Sequence, residues 1–335
     1  MIAPSIAKEE EIKDITLYQA AVLEHPRHFT LRDEQLREPQ DDEVCVKLQG
    51  CGLCASSIPL WQGRQWFTYP AEAGAPGHEA WGIVHAVGKN IHPDLIGKRV
   101  ALLSHHGFAH YDYVTENQLL IIPNELANIP FPGEPLACAV NIFRRSNIQK
   151  DQTVAIIGMG FLGLLLLQLA KHKGAKVMAL SRRSFALELA KEMSADEQII
   201  LDDHYQIIEQ VRGLTDGQFC DHVIECTGKE WPLNLAGELC KERGQITIAG
   251  YHQDGMRQVN IQQWNWKGLD VINAHERDPQ QYMKGMQEAL DLVSNATLKP
   301  HKLYTHHFPL AQINDAFALQ EDAPEGYVKA YIEFN

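Results

Sequence analysis

The stretch Val154-Ala155-Ile156-Ile157-Gly158-Met159-Gly160-Phe161-Leu162-Gly163 decides the fold. Its first four residues read as a buried strand, and Leu162 to His172 is an apolar segment of helix length. Between them the glycines are spaced Gly-x-Gly-x-x-Gly. The first permits a tight turn, the second lets backbone approach a pyrophosphate, and the third lets helix pack on strand. The helix start adds free N–H donors and a positive dipole end. Lys176 to Leu180 then reads as a second strand, closing about 20 residues on. Alone, the glycine pattern is an ordinary turn. Flanked by strand, helix and strand, it predicts a dinucleotide site that includes Phe161 and Leu162.

Toward the C-terminus the alternation continues, with a helix-like Ser184 to Met193 and strands at His222–Glu225 and Gln245–Ala249. Strands alternating with helices predict an α/β fold, a doubly wound parallel sheet of the Rossmann type. From Asp278 a helix follows (Tyr282, Met283, Met286, Leu290, Val293), then strands near Tyr304 and Val328–Tyr331. The N-terminal side has a different texture. From Ile15 to Pro130, short apolar runs at Val44–Leu48, Trp81–Val87, Arg99–Leu103 and Tyr111–Val114 are broken by Gly, Pro and His. These predict a small irregular β-barrel. The expected organisation is residues 1–140 as one domain, 141–275 as the dinucleotide-binding domain, and 276–335 returning to complete the first.

A chain of 335 residues suits two domains. Its net charge of -13 argues against a nucleic-acid partner, since phosphate backbones are held by clustered Lys and Arg. No apolar run is long enough to span a bilayer, and Met1 to Asp14 shows no signal-peptide pattern. Seven cysteines, irregularly spread, do not form a disulfide framework, so a cytoplasmic location is expected.

The end of the second strand bears on the choice of cofactor. An acidic residue there binds the adenosine ribose and repels a 2′-phosphate. This chain offers Ser181-Arg182-Arg183 instead. A guanidinium holds phosphate through charge-assisted bonds worth about 1.5–3 kcal/mol, roughly 10- to 100-fold in preference. NADP(H) is expected over NAD(H), the alternative being two solvated arginines at a helix start.

Three further segments carry metal-binding residue types: Cys51-Gly52-Leu53-Cys54-Ala55-Ser56-Ser57, Gly77-His78-Glu79 and Glu134-Pro135-Leu136-Ala137-Cys138. Thiolate, imidazole and carboxylate together suit a tetrahedral Zn²⁺. Cys51-x-x-Cys54 taken alone can be half a zinc knuckle or a redox pair, but no second such motif completes a structural site. A buried cysteine or a lone histidine is more often structural.

On these segments the chain resembles the medium-chain dehydrogenase/reductase superfamily, in its zinc-dependent alcohol dehydrogenase family. Gly52-Leu53-Cys54-Ala55-Ser56 is similar to the family's Gly-Ile-Cys-Gly-Ser/Thr segment, and Gly77-His78-Glu79 to its Gly-His-Glu. Glu134-Pro135-Leu136 resembles the polyol-dehydrogenase-like branch, and the closing Phe308 to Phe317 also matches. The resemblance implies a GroES-like catalytic domain beside the Rossmann domain. It implies Cys54 and His78 as zinc ligands, with Glu79 as an exchangeable ligand or catalytic partner. Glu134 would be the remaining ligand, directly or through water. Ser56 would bind the substrate oxygen and pass on its proton. Thr227, Ala249, Gly250 and Lys329 would line the cofactor, Lys329 at the pyrophosphate, unless it is merely an exposed strand lysine. Cys51 and Cys138 fall off ligand positions and are expected to pack.

Two departures stand out. No cysteine lies between Gly97 and Tyr113, where the family's structural zinc lobe would be, so one zinc per subunit is implied. Ser57 and Pro59 replace residues that often continue the proton path. The implied activity is hydride transfer between NADP(H) and an alcohol or ketone, by analogy a secondary alcohol, polyol or sugar-like substrate. A zinc-free enone or quinone reductase on the same fold is the alternative, and a non-catalytic cofactor-binding protein a second. The run Leu60 to Tyr69, with Trp61, Trp66 and Phe67, reads either as a substrate-pocket wall or as an apolar lid. Strand Asp270–His275 lies where the family pairs sheets across a dimer axis, implying a homodimer or homotetramer.

Overall fold

A computed structural model describes residues 16–252 and 255–334; the expectation about Met1 to Asp14 lies outside the described residues. In chain order the first strands are β1 (Leu17–His25), β2 (His28–Gln35) and β3 (Glu43–Gly52). After helix α1 (Ile58–Gln62) come β4 (Ala80–Val87), β5 (Arg99–Leu102), β6 (Tyr111–Thr115) and β7 (Leu119–Ile121). Helix α2 (Gly133–Ser146) leads to β8 (Thr153–Ile157), α3 (Phe161–Lys173), β9 (Lys176–Ser181), α4 (Ser184–Glu192) and β10 (Glu197–Ile200). Then follow α5 (His204–Leu214), β11 (Cys220–Glu225), α6 (Glu230–Leu239), β12 (Cys240–Ile248), α7 (Ile261–Lys267) and β13 (Asp270–Asn273). The return is α8 (Pro279–Ser294), β14 (Tyr304–Pro309), α9 (Ile313–Asp322) and β15 (Lys329–Glu333).

Among the described residues, one sheet has the order β10-β9-β8-β11-β12-β13, and every pairing in it is parallel. The chain builds outward from β8 to β10, then crosses to β11 and builds the other way. The crevice between β8 and β11 is therefore the switch point at which such sheets bind ligands. Helix α3 is apolar on nearly all sides, and Leu164 to Leu167 are wholly buried. It packs on β8 and β9 and against α2, and its last turn, at His172 and Lys173, reaches water. Burying each leucine is worth about 1.5–3 kcal/mol, which holds the glycine turn and helix start in place.

The second sheet has the order β14-β15-β3-β4-β5-β7, with β6 also on β3. Strand β15 pairs antiparallel with β3, Tyr331 facing Gly52, so the end of the chain closes the sheet begun by its start. This is the GroES-like barrel beside a Rossmann sheet that the sequence predicts. The β1–β2 hairpin and α2 are elements beyond those that the sequence predicts. Helix α2 runs unbroken across position 140 and packs on α8. Among the described residues no helix is long and apolar enough to cross a membrane.

The Trp61 reading needs correction. Trp61 is buried in the barrel core, its ring 5.8 Å from Phe29 and 5.3 Å from Phe317, with its indole N–H on Glu321. It is packing, not pocket wall. Trp66, by contrast, is half exposed.

Candidate active site

Strand β3 ends at Gly52, and the chain turns so that Cys54 leaves the sheet edge partly buried. The Ser56 hydroxyl donates to the Cys54 sulfur at 3.2 Å. Just before β4 lie His78 and Glu79. The Nδ1 of His78 is 2.9 Å from the Pro76 carbonyl. A carbonyl only accepts, so Nδ1 is the N–H and Nε2 keeps its lone pair for a ligand. One donor atom each from Cys54, His78 and Glu79 lie within 4.8 Å of one another.

Glu79 is wholly buried, and Lys329 from β15 answers its charge, Nζ standing 2.7 Å from Oε1 and 2.6 Å from Oε2. At Oε2 the approach is close but not along a hydrogen-bonding direction, so that oxygen has no hydrogen-bond partner. Oε2 rests over Gly52, where any side chain would begin 2.0 Å from it. Burial pushes the Lys329 ammonium down, but Glu79, foremost, with Cys54 and Glu134 holds it above its ordinary value. Lys329 is thus no exposed strand lysine; it is 4% exposed.

Burial alone would also push the His78 ring down. The Cys54 thiol, then Glu134 and Glu79, overturn this and lift it from 6.5 to about 10. Such a lift records surplus negative charge, which a bound divalent cation neutralises. Glu134, in the first turn of α2, is raised by burial to about 6, with His78 opposing the rise. It stands outside the tight group of three, where Tyr282 of α8 also opposes the rise. The donor set of sulfur, nitrogen and oxygen and the excess negative charge about His78 fit Zn²⁺.

At the end of β8 the glycine turn is as the spacing predicts. Gly158 has φ +105, open to glycine, and its N–H bonds to the Leu180 carbonyl. A side chain at Gly163 would begin 2.0 Å from the Gly158 oxygen, so the helix sits directly against the turn. Nothing lies within 4 Å of the place a side chain would take on Gly160. That open face at the N-terminus of α3 fits a pyrophosphate. Phe161 connects the turn to the metal cluster, its ring 5.8 Å from Tyr304 and 4.8 Å from the Lys329 ammonium.

Ser181, at the end of β9, is buried and accepts from the Arg183 N–H at 3.2 Å. Arg182 is exposed, while the Arg183 guanidinium bonds to the Tyr327 carbonyl. Thr227, Ala249 and Gly250 converge on one residue that sequence reading missed, the fully buried Glu225. Its carboxylate accepts from the Thr227 amide (2.6 Å) and hydroxyl, and its carbonyl from the amides of Ala249 (2.8 Å) and Gly250 (2.7 Å). His252 Nε2 lies 3.0 Å from its other oxygen. The signal was present: an acid closing the strand-like His222–Glu225. Tyr282 and Tyr304 were also missed, and His105, like His106, His252 and His275, has nothing in the sequence that assigns it to the site. Tyr304 has a buried hydroxyl without a partner, and the His105 ring is 6.3 Å from that of His78. No spacing in the sequence ties these to the cluster.

Residues 40–124 match the alcohol dehydrogenase GroES-like domain family, and residues 162–295 the zinc-binding dehydrogenase family. The chain is 26% identical to D-arabitol-phosphate dehydrogenase of Enterococcus avium, over 90% of this chain and 93% of that one. It is 26% identical to sorbitol dehydrogenase of Halalkalibacterium halodurans, over 87% and 92%. Among solved structures, a zinc-binding dehydrogenase of Sinorhizobium meliloti bound to NADP superposes with a TM-score of 0.82 at 26% identity, covering 95% of this chain and all 100% of that one. Two matched domains in this order, about the geometry described, place the chain in its family. It belongs to the zinc-dependent alcohol dehydrogenases of the medium-chain dehydrogenase/reductase superfamily, oxidoreductases acting on CH–OH groups.

Proposed function

We propose that this chain moves a hydride between NADP(H), in preference to NAD(H), and a secondary alcohol, polyol or sugar-like substrate and its ketone. The observation that carries this is the convergence of Cys54, His78 and Glu79 beside Phe161 of the glycine turn, bridged by Lys329. Of the two groups to be held, zinc would act as Lewis acid on the substrate oxygen and nicotinamide would carry the hydride.

The chain's own residues do the rest. Cys54, His78 and Glu79 would hold the metal, with Glu134 as the remaining ligand, directly or through water. Ser56, against the Cys54 sulfur, orients the substrate oxygen and takes its proton in the oxidative direction. Pro59 is buried and has no group able to carry a proton, so the proton leaves Ser56 through water. Gly158, Gly160 and Gly163 seat the pyrophosphate, with Lys329 facing it. Ser181, Arg182 and Arg183 receive the 2′-phosphate. Phe161, Tyr304 and Tyr331 form an aromatic wall that keeps water from the reacting atoms.

The polyol reading is supported by the Glu134-Pro135-Leu136 phrase and by two relatives named for polyol or polyol-phosphate substrates. One zinc per subunit, a cytoplasmic location and a homodimer or homotetramer complete the proposal. Among the described residues all seven cysteines are free thiols, and β13 is an unpaired sheet edge suited to pairing across a two-fold axis. A monomer on sedimentation would remove the oligomer.

The test is a panel of alcohols and ketones assayed at 340 nm with both cofactors, with zinc measured on the same sample. About one zinc per chain with cofactor-dependent turnover is expected. Turnover in zinc-free protein would replace this reading with that of a metal-independent reductase.

A further inference from the structure

The corner that would receive a 2′-phosphate contains an acid contributed from the far end of the chain. Strand β9 ends at Ser181 beside Gly158, and Arg183 leads into α4. The phosphate-binding groups at this corner are the Ser181 hydroxyl, the Arg182 and Arg183 guanidinium groups and the amides opening α4. Arg183 and one of those amides are already engaged by the loop before β15. The Phe185 amide, in the first turn of α4, donates to the Glu325 carboxylate, and Arg183 donates to the Tyr327 carbonyl. Burial pushes the Arg183 guanidinium down, and Glu325 leads the groups opposing that. The carboxylate is thus close enough to share the field of the arginine.

We propose that Glu325 is a specificity-determining residue, an exposed carboxylate of this chain that competes with the cofactor's 2′-phosphate for the α4 amides and the Arg183 charge. This rests on the nicotinamide-dinucleotide reading above. In many dinucleotide folds the discriminating acid stands at the end of the second strand. Here that position is Ser181, and the negative charge arrives instead on the loop 323–328, held by the turn from the Pro324 carbonyl to the Tyr327 amide. A phosphate dianion entering the corner meets a carboxylate of like sign and must displace it from the helix start. The plain ribose hydroxyl of NAD(H) carries no charge to repel. Arg182, exposed beside them, is the guanidinium left to favour phosphate. Cofactor preference is then a contest between Arg182 and Glu325.

Glu325→Gln removes the charge and keeps an oxygen able to accept from the Phe185 amide. The experiment titrates full-length wild-type and Glu325→Gln proteins with NADH and NADPH, following cofactor fluorescence, with a thermal melt to confirm folding. Removing one like charge at contact range shifts the ratio of dissociation constants roughly tenfold toward NADPH. A ratio unchanged within about twofold, in folded variant protein, overturns the role of Glu325. Wild-type affinity for NADPH tests the underlying cofactor reading separately. Binding of NADH alone by the wild type defeats the NADP preference, yet a swing in the variant still supports Glu325. Binding of neither cofactor by either protein overturns both. Should the glutamine variant fail to fold, Glu325→Ala removes the same charge: the ratio again moves roughly tenfold toward NADPH if Glu325 competes with the phosphate, and stays fixed if it does not.

Discussion

The ammonium of Lys329 lies 2.7 and 2.6 Å from the two carboxylate oxygens of Glu79, a pair 250 positions apart in sequence and almost entirely removed from water. A buried ion pair of this kind gains little over an apolar pair, but breaking one side leaves an uncompensated charge. Lys329→Met should therefore cost about 3–5 kcal/mol in denaturant unfolding. The double variant Lys329→Met/Glu79→Gln should recover much of that loss. Equal stability in the single variant and wild type would show that the pairing does not hold in solution.

Cys54 contributes the only sulfur in the candidate metal cluster. Cys54→Ser replaces a strong thiolate ligand with a hydroxyl that rarely ionises. Zinc content is expected to fall from about one per chain to near zero, with turnover reduced by roughly 100-fold or more and the circular dichroism spectrum retained. A variant that keeps both metal and activity would exclude this cluster as the active site.

Ser56 is assigned the proton because its hydroxyl already faces the cluster at 3.2 Å from the Cys54 sulfur. Ser56→Ala should lower kcat by about 10²–10⁴ while zinc content stays at the wild-type level. Ser56→Thr, which restores a hydroxyl, should recover part of the rate. Loss of zinc in the alanine variant would mean that Ser56 supports the metal site instead.

Ser181→Asp places an acid at the end of β9 where it can hold a ribose hydroxyl and repel a phosphate. The ratio of kcat/KM values should move toward NAD(H) by roughly 10- to 100-fold. An unaltered ratio in active enzyme would mean that the 2′-position is read elsewhere.

Asp112 is buried, and burial raises its carboxyl above 3.8, with the Ser104 hydroxyl and the Tyr113 amide opposing the rise. A carboxyl whose folded value exceeds its unfolded one stabilises the fold fully below about pH 3.9 and loses that contribution as pH climbs through the folded value. Asp112→Asn has no such proton to lose. Wild-type stability should decline relative to the variant from pH 4 upward, followed by urea unfolding at a series of pH values. A constant difference across that range would show that Asp112 titrates normally.

How much of this was legible in the sequence follows from the range of the interactions involved. The Rossmann half was read almost strand for strand, because a turn between strand and helix is a local event. Gly158 at φ +105 answers to its own backbone, and the leucines of α3 answer to a helical period. The zinc ligands were named from residue types and from resemblance; composition alone left Cys51 and Cys54 equal. The fold separates them. Cys51 points into the barrel, fully buried, while Cys54 leaves the sheet edge beside His78.

By itself, then, the sequence determined what short-range geometry dictates: the alternation of strand and helix, the phosphate turn and the chemical types of the ligands. Tertiary structure decided what depends on distant segments meeting in a medium of low polarity. It made Lys329 the counter-ion of Glu79, gathered Thr227, Ala249 and Gly250 about Glu225, sent Trp61 into the core and brought Glu325 to the start of α4. Each of these partners is chosen by charge or shape across a long loop, and no spacing along the chain encodes which segment will arrive.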